Sequence, residues 1–373
     1  MSARRALLIP LLLALPTLAG CGRRAEPVDP GRASVVADPG APRAQLAAAV
    51  DAVFADKEAG ETRALLVLHN GKQVAERYAP GFGPATRQIG WSMSKCVTAL
   101  MTGMLVADGR LRLDGGASVP AWQRPGDSRG AVTVRMLLQM RSGLRHAEGA
   151  RPVTEADTTK MLFLEGRDDM AAYAEGEPLE STPGNGFRYS TANSVILADV
   201  AARILSENGD PAARQRAVSD YLRSRLFEPA GMHSMTPEFD AHGTMIGGAM
   251  IWGSARDWGQ LGELLRNGGR AGDGTGAQLV PRAWIDLMLT PSPGNPAYGG
   301  QVWLNRKSTV GREWLWPGRA PRDVFACIGH RGQYVIVSPS QKLTLVRLGQ
   351  NEGEPFPPLR ERLLAILRLF PAR

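Results

Sequence analysis

Residues 90–100 read GWSMSKCVTAL, and the reading of the whole chain turns on the lysine among them. Lys95 stands in an otherwise apolar run, three residues after Ser92. Residues three apart share a helix face. A helix opening at Ser92 therefore sets the hydroxyl at its positive end and the amine one turn below. The helix continues with Cys96, Val97, Ala99, Leu100, Met101, Met104, Leu105 and Val106, apolar nearly all round. That predicts a buried central helix running to about Asp108 and stopped by Gly109. Burial disfavours the charged form of an amine and lowers its pKa. A lysine that is neutral near pH 7 takes a proton from serine, activating a nucleophile without a histidine. The plain alternative is a lysine that snorkels to solvent from an ordinary helix.

Outward from this helix the periodicity is mixed. Residues 43–57 form an amphipathic helix pattern, and ALLVLHNGKQVAERY (64–78) reads as two strands around an Asn70-Gly71 hairpin turn. Residues from about 110 to 240 read mostly as helix and loop. Helix patterns lie at 132–140, 168–174, 191–209, with Ser190 or Thr191 as cap, and 217–232. A further helix is expected over 254–269. Strands are expected over 298–305, 323–330, 332–340 and 341–349, and a closing helix over 358–370. Strands at both ends with helices between predict an α/β protein of the α+β type. Its antiparallel sheet is flanked by helices and built from both ends of the chain, with a mostly helical subdomain inserted at about 110–240.

Hydrophobic residues make up 43% and charged residues 21% of the 373, which excludes a disordered or collagenous chain. The net charge is +8, but the arginines are spread without a dense run. That favours a solvated surface over a nucleic-acid partner, and leaves a weak pull toward anionic lipid. His69, His146, His233, His242 and His330 have neither His-Glu-x-x-His nor Cys-x-x-Cys company, so no metal is expected, and no cofactor.

The first residues, MSARRALLIPLLLALPTLAGCGRR, combine a basic start, an apolar stretch too short to span a bilayer, and small residues at its end. Residues 1–20 are thus read as a signal peptide. Leu18-Ala19-Gly20-Cys21 resembles a bacterial lipoprotein cleavage box, which makes Cys21 the lipidated residue. The protein would then be lipid-anchored in the bacterial cell envelope, periplasmic or surface-facing, with the membrane as a partner. Residues 21–42, rich in Pro, Gly, Ala and charge, read as a flexible tether to a domain at 43–373. Cys96 and Cys327 lie in apolar surroundings and read first as two buried free thiols, while an exported protein could join them, two cysteines permitting one pairing only.

Ser92-Met93-Ser94-Lys95 has company that a lone Ser-x-x-Lys lacks. VTVRMLLQMRSGL (132–144), Tyr189 of FRYSTAN, GGAMIWGSARDWGQLGELLRNGG (247–269) and GHRGQY (329–334) follow in order. With these motifs the chain resembles the serine β-lactamase-like hydrolases over about 44–370. The similarity is to the branch that holds class C β-lactamases, family VIII esterases and 6-aminohexanoate-dimer hydrolases. The resemblance implies a β-lactamase/transpeptidase-like fold, with Ser92 as nucleophile, Lys95 as base or proton shuttle, and Tyr189 as acid/base near the leaving group. His330-Arg331-Gly332 stands where that family has Lys-Thr-Gly. By the same resemblance the backbone N–H groups of Ser92 and Gln333 form the oxyanion hole, and Asn193, Arg331 and Gly332 touch substrate. The slot two places after Tyr189, Asn in strict members, is Thr191 here. A mostly neutral His330 argues against β-lactams as main substrates. The first expectation is therefore a serine hydrolase of small esters or amides, working through an acyl-enzyme. A β-lactamase or D-Ala-D-Ala carboxypeptidase of the same fold is the second. A non-catalytic envelope lipoprotein that binds ligand is the third.

Overall fold

The computed structural model describes residues 31–353 and 356–372; the expected signal peptide at 1–20, Cys21 and the first part of the expected tether lie outside them. In chain order the strands are β1 (Ser34–Val35), β2 (Glu61–His69), β3 (Lys72–Tyr78), β4 (Gln88–Ile89), β5 (Thr236–Pro237), β6 (Ile251–Gly253), β7 (Trp303–Leu304), β8 (Phe325–Gly329), β9 (Gln333–Ser338) and β10 (Leu343–Gln350). The helices are α1 (Arg43–Ala55), α2 (Ser94–Ala107), α3 (Val134–Leu138), α4 (Asp157–Phe163), α5 (Met170–Gly176), α6 (Thr191–Leu205), α7 (Pro211–Leu222), α8 (Ala255–Arg266), α9 (Arg282–Met288) and α10 (Pro357–Leu367).

Asn70 and Gly71 both take positive φ (52° and 76°), as the two-residue turn between β2 and β3 requires. The main sheet has the order β1-β3-β2-β10-β9-β8-β7, antiparallel throughout, so segments from the two ends of the chain meet at β2 and β10. A small second sheet, β4-β6-β5, lies outside it. Side chains alternate between two cores, following the period of two in a strand. Leu66 and Leu68 of β2, Val335 and Val337 of β9 and Val346 of β10 pack with α2, α6 and α8. Leu65, Val67, Ile336 and Leu345 pack on the other face with α1 and α10. The sheet is therefore covered by helices on both faces, with the helical insertion beyond α2, as expected.

Three expectations need correction. Ser34–Val35, read as tether, is a strand: its backbone pairs with Glu76 and Ala75 on the otherwise open edge of β3, and Val35 is buried. Cys96 and Cys327 are not free thiols but a disulfide, because α2 crosses β8 with the two Cα atoms 6.3 Å apart. The helix expected to open at Ser92 begins at Ser94, after a single 3₁₀ turn over Trp91–Met93.

Candidate active site

The short turn before α2 is what presents Ser92. Trp91 sits in the left-handed region at φ 47°, a strained position for a bulky residue that reverses the chain just before the serine. The turn is held from two sides. Ser94 Oγ accepts from the Ile251 N–H of β6 at 3.0 Å. The end of β8 presses on it so closely that a Cβ at Gly329 would stand 2.1 Å from the Gly90 carbonyl oxygen. Only glycine allows that approach.

Lys95, on the first turn of α2, is fully buried. Its Nζ donates to Ser92 Oγ at 3.1 Å, Thr191 Oγ1 at 2.9 Å and the Gly248 carbonyl at 2.8 Å, which uses all three ammonium donors. Burial lowers its pKa to about 8, against the opposing pull of the Glu148 carboxylate. The Gly248 contact explains one glycine of the 247–269 block: a Cβ there would lie 2.7 Å from Thr191 Cγ2.

Thr191 opens α6, next to the cap Ser190, whose side chain accepts from the Asn193 N–H. Thr191 Oγ1 donates to Glu148 Oε1 at 2.6 Å, and its N–H donates to Oε2 at 2.8 Å. His146 Nε2 and Thr158 Oγ1 each lie 3.1 Å from Oε2. Burial raises the Glu148 pKa, but these hydrogen bonds and the charge of Lys95 outweigh it and hold the carboxyl at about 2. The result is a chain Ser92–Lys95–Thr191–Glu148. Sequence reasoning assigned no catalytic role to its last two members, Thr191 and Glu148. The available signal was Thr191 in the slot two places after Tyr189.

Tyr189 is half-buried, its ring stacked on Trp303 with centroids 5.5 Å apart, and Lys95 Nζ lies 5.0 Å from its ring centre. Ser92, Glu148 and Tyr189 line one cavity of about 710 Å³, together with His330 and Arg331. The His330 ring meets Trp91 edge-on at 5.4 Å. The structure thus brings together Ser92, Lys95, Tyr189, His330 and Arg331.

Asn193, Gly332 and Gln333 are not part of this wall. Asn193 is buried two residues along α6 from Thr191, turned to accept from Ser142 Oγ at 2.8 Å. Gly332 (φ 81°) is buried with its carbonyl on Arg347 Nη1 at 2.9 Å. Gln333 is buried as well, and its side chain bonds both backbone groups of Gly349. Strand alternation gives the reason. The Val324 carbonyl accepts from Asn305 N–H on the β7 side, so the backbone groups of 326, 328 and 330 face that side too. β7 pairs no further than Ala326, which leaves the His330 side of the strand end to the cavity. Gln333 opens β9 opposite Gly329 instead.

Residues 50–368 match the family profile described as Beta-lactamase. The chain is 25% identical over 298 residues to a 6-aminohexanoate-dimer hydrolase of Paenarthrobacter ureafaciens, covering 77% of this chain and 72% of that protein. Among solved structures it is similar to a family VIII carboxylesterase, with a TM-score of 0.64, 16% identity, and 90% and 99% of the two chains covered. It is also similar to a penicillin-binding protein homolog from Caulobacter crescentus, with a TM-score of 0.63, 18% identity and the same coverage. At such identities the structural likenesses speak for the fold alone.

Proposed function

From the premise that this chain belongs to the beta-lactamase family of hydrolases and has its transpeptidase-like fold, we propose that it cleaves small esters or amides through an acyl-enzyme on Ser92. The observation that carries this reading is the buried Lys95 amine 3.1 Å from Ser92 Oγ. Deprotonated, Lys95 takes the hydroxyl proton as Oγ bonds to the substrate carbonyl carbon. The charge that develops on the carbonyl oxygen is met by the backbone N–H groups of Ser92 and His330, the latter in place of Gln333. As the intermediate collapses, the bond to the leaving group breaks. Tyr189 passes that group a proton, which Lys95 resupplies. Water then attacks the acyl carbon and gives a proton to the same pair; the bond from that carbon to Ser92 Oγ breaks, the pair returns the proton to Oγ, and the acid product leaves.

Arg331 lines the cavity, so a cation for an anionic substrate group is at hand. This favours, as a second reading, a β-lactam or D-peptide whose carboxylate it would hold. Turnover of a chromogenic cephalosporin at rates matching simple esters would support that reading.

The envelope reading rests on the cleavage box at Cys21. It is supported by the Cys96–Cys327 disulfide, since such bonds persist in oxidising compartments. Loss of the protein from the membrane fraction on Cys21→Ser tests it. The nucleophile is tested by intact mass after exposure to a fluorophosphonate. One adduct on the wild type and none on Ser92→Ala is expected, and an adduct on both proteins overturns the assignment.

A further inference from the structure

Among the described residues the exposed large apolar side chains are Val36, Val153, Phe163, Leu164 and Val310. Single exposed apolar residues need no explanation, but these are not scattered. Val153 and Phe163 line the catalytic cavity, and Leu164 follows Phe163 at the end of α4. Val310 lies in the loop that brings Arg312 and Trp314 to the same cavity. Only Val36, on the far edge beside β1, stands apart. Val153 is 66% exposed and Phe163 46%, at the mouth of a cavity whose inner wall continues with Leu162, Ile89 and Trp91. An apolar path therefore runs from beside Ser92 out onto the rim.

Resting on the reading of Ser92 as nucleophile, we propose that the substrate is an ester or amide of a medium-to-long straight-chain acid, whose alkyl chain lies along this path over Val153 and Phe163. The mechanism above puts the leaving group at Tyr189, whose ring stacks on Trp303 with Trp314 against that indole, so the α4 rim falls to the acyl part. Chain and wall both leave water on binding, and each methylene buried adds to the preference.

The test uses the full-length protein and p-nitrophenyl acetate, butyrate and octanoate below their micelle-forming concentrations, read as kcat/KM. Octanoate is expected to exceed acetate by at least about tenfold. Val153→Ser with Phe163→Ser, at exposed positions that do not build the core, should reduce the octanoate-to-acetate ratio at least about fivefold. Val36→Ser should leave the ratio where it was. A series that is flat or falls with chain length, or a ratio the double variant does not change, overturns the proposal. Fluorophosphonate labelling of the same preparations separates the two readings. With Ser92 labelled, a flat series overturns the acyl-chain inference alone; no label and no ester turnover overturns both.

Discussion

Lys95 and Glu148 are joined through one hydroxyl: Lys95 Nζ donates to Thr191 Oγ1 at 2.9 Å, and Thr191 Oγ1 donates to Glu148 Oε1 at 2.6 Å. The two groups act on the lysine in opposite senses. Burial favours the neutral amine that can accept the serine proton, and the carboxylate favours the ammonium. The balance between the two decides at which pH Ser92 can lose its proton to Lys95.

That balance predicts the pH profile. With Lys95 at about 8, kcat/KM should fall about tenfold per unit below that pH and level off above it. Glu148, held at about 2, stays ionised throughout and adds no second inflection near neutrality. Glu148→Gln removes the charge that stabilises the ammonium, so the Lys95 pKa falls and the acid limb moves to lower pH. Thr191→Val, which cuts the link, should lower the rate as well. An inflection that stays in place in Glu148→Gln would show that the carboxylate does not set the lysine.

Tyr189→Phe separates chemistry from packing. The ring keeps its stack on Trp303 and its edge contact with Tyr298, so the loss of stability should not exceed that of one hydrogen bond, about 1 kcal/mol. Loss of the hydroxyl removes the proposed proton path to the leaving group, and kcat should fall by about 10² or more. The loss should be larger for alkyl esters than for p-nitrophenyl esters, whose leaving group needs no proton. Equal losses on both would point to a binding role instead.

Much of this was legible because it is local. The Asn70-Gly71 turn, the apolar run of α2 and the short apolar runs of β9 and β10 are written in neighbouring residues, and their sheet follows. What escaped is set by distance in the chain. Thr191 reaches Glu148 across 43 positions, and no periodicity announces it. The disulfide closes 231 positions, and its two cysteines look like ordinary core residues until α2 is laid across β8. Whether the N–H of Gln333 or of His330 faces the cavity turns on the direction of the backbone where β8 leaves the ladder, which no local pattern gives. Asn193 stood as a substrate contact through the family resemblance, and its place two residues along α6 from Thr191 turns its side chain to another face, onto Ser142.

Gly329 gives a prediction that tests the join between the nucleophile turn and β8. A methyl group at this position meets the Gly90 carbonyl at 2.1 Å, and backbone cannot swing aside as a side chain does. Gly329→Ala should cost about 1–3 kcal/mol of stability by urea unfolding. The strand must back away from the turn, and His330 N–H moves with it, so kcat should fall further than the folded fraction does. Full activity in a folded Gly329→Ala protein would remove the strand end from the oxyanion hole.

The disulfide makes the same join covalent. Cys96 adjoins Lys95 on α2, and Cys327 lies three residues before His330, so the bond ties the helix that carries Lys95 to the strand whose end lines the cavity. Closing so long a loop restricts the unfolded chain, and replacing both cysteines by alanine should cost about 2–4 kcal/mol. Both cysteines are buried, so a reductant should leave the native protein's activity unchanged over short times and act once denaturant opens the fold. The check is urea unfolding of wild type and Cys96→Ala/Cys327→Ala with and without reductant. Reductant should lower the wild-type midpoint toward that of the double variant and leave the variant's midpoint in place. A wild-type midpoint that does not respond to reductant would mean that the purified protein lacks the bond.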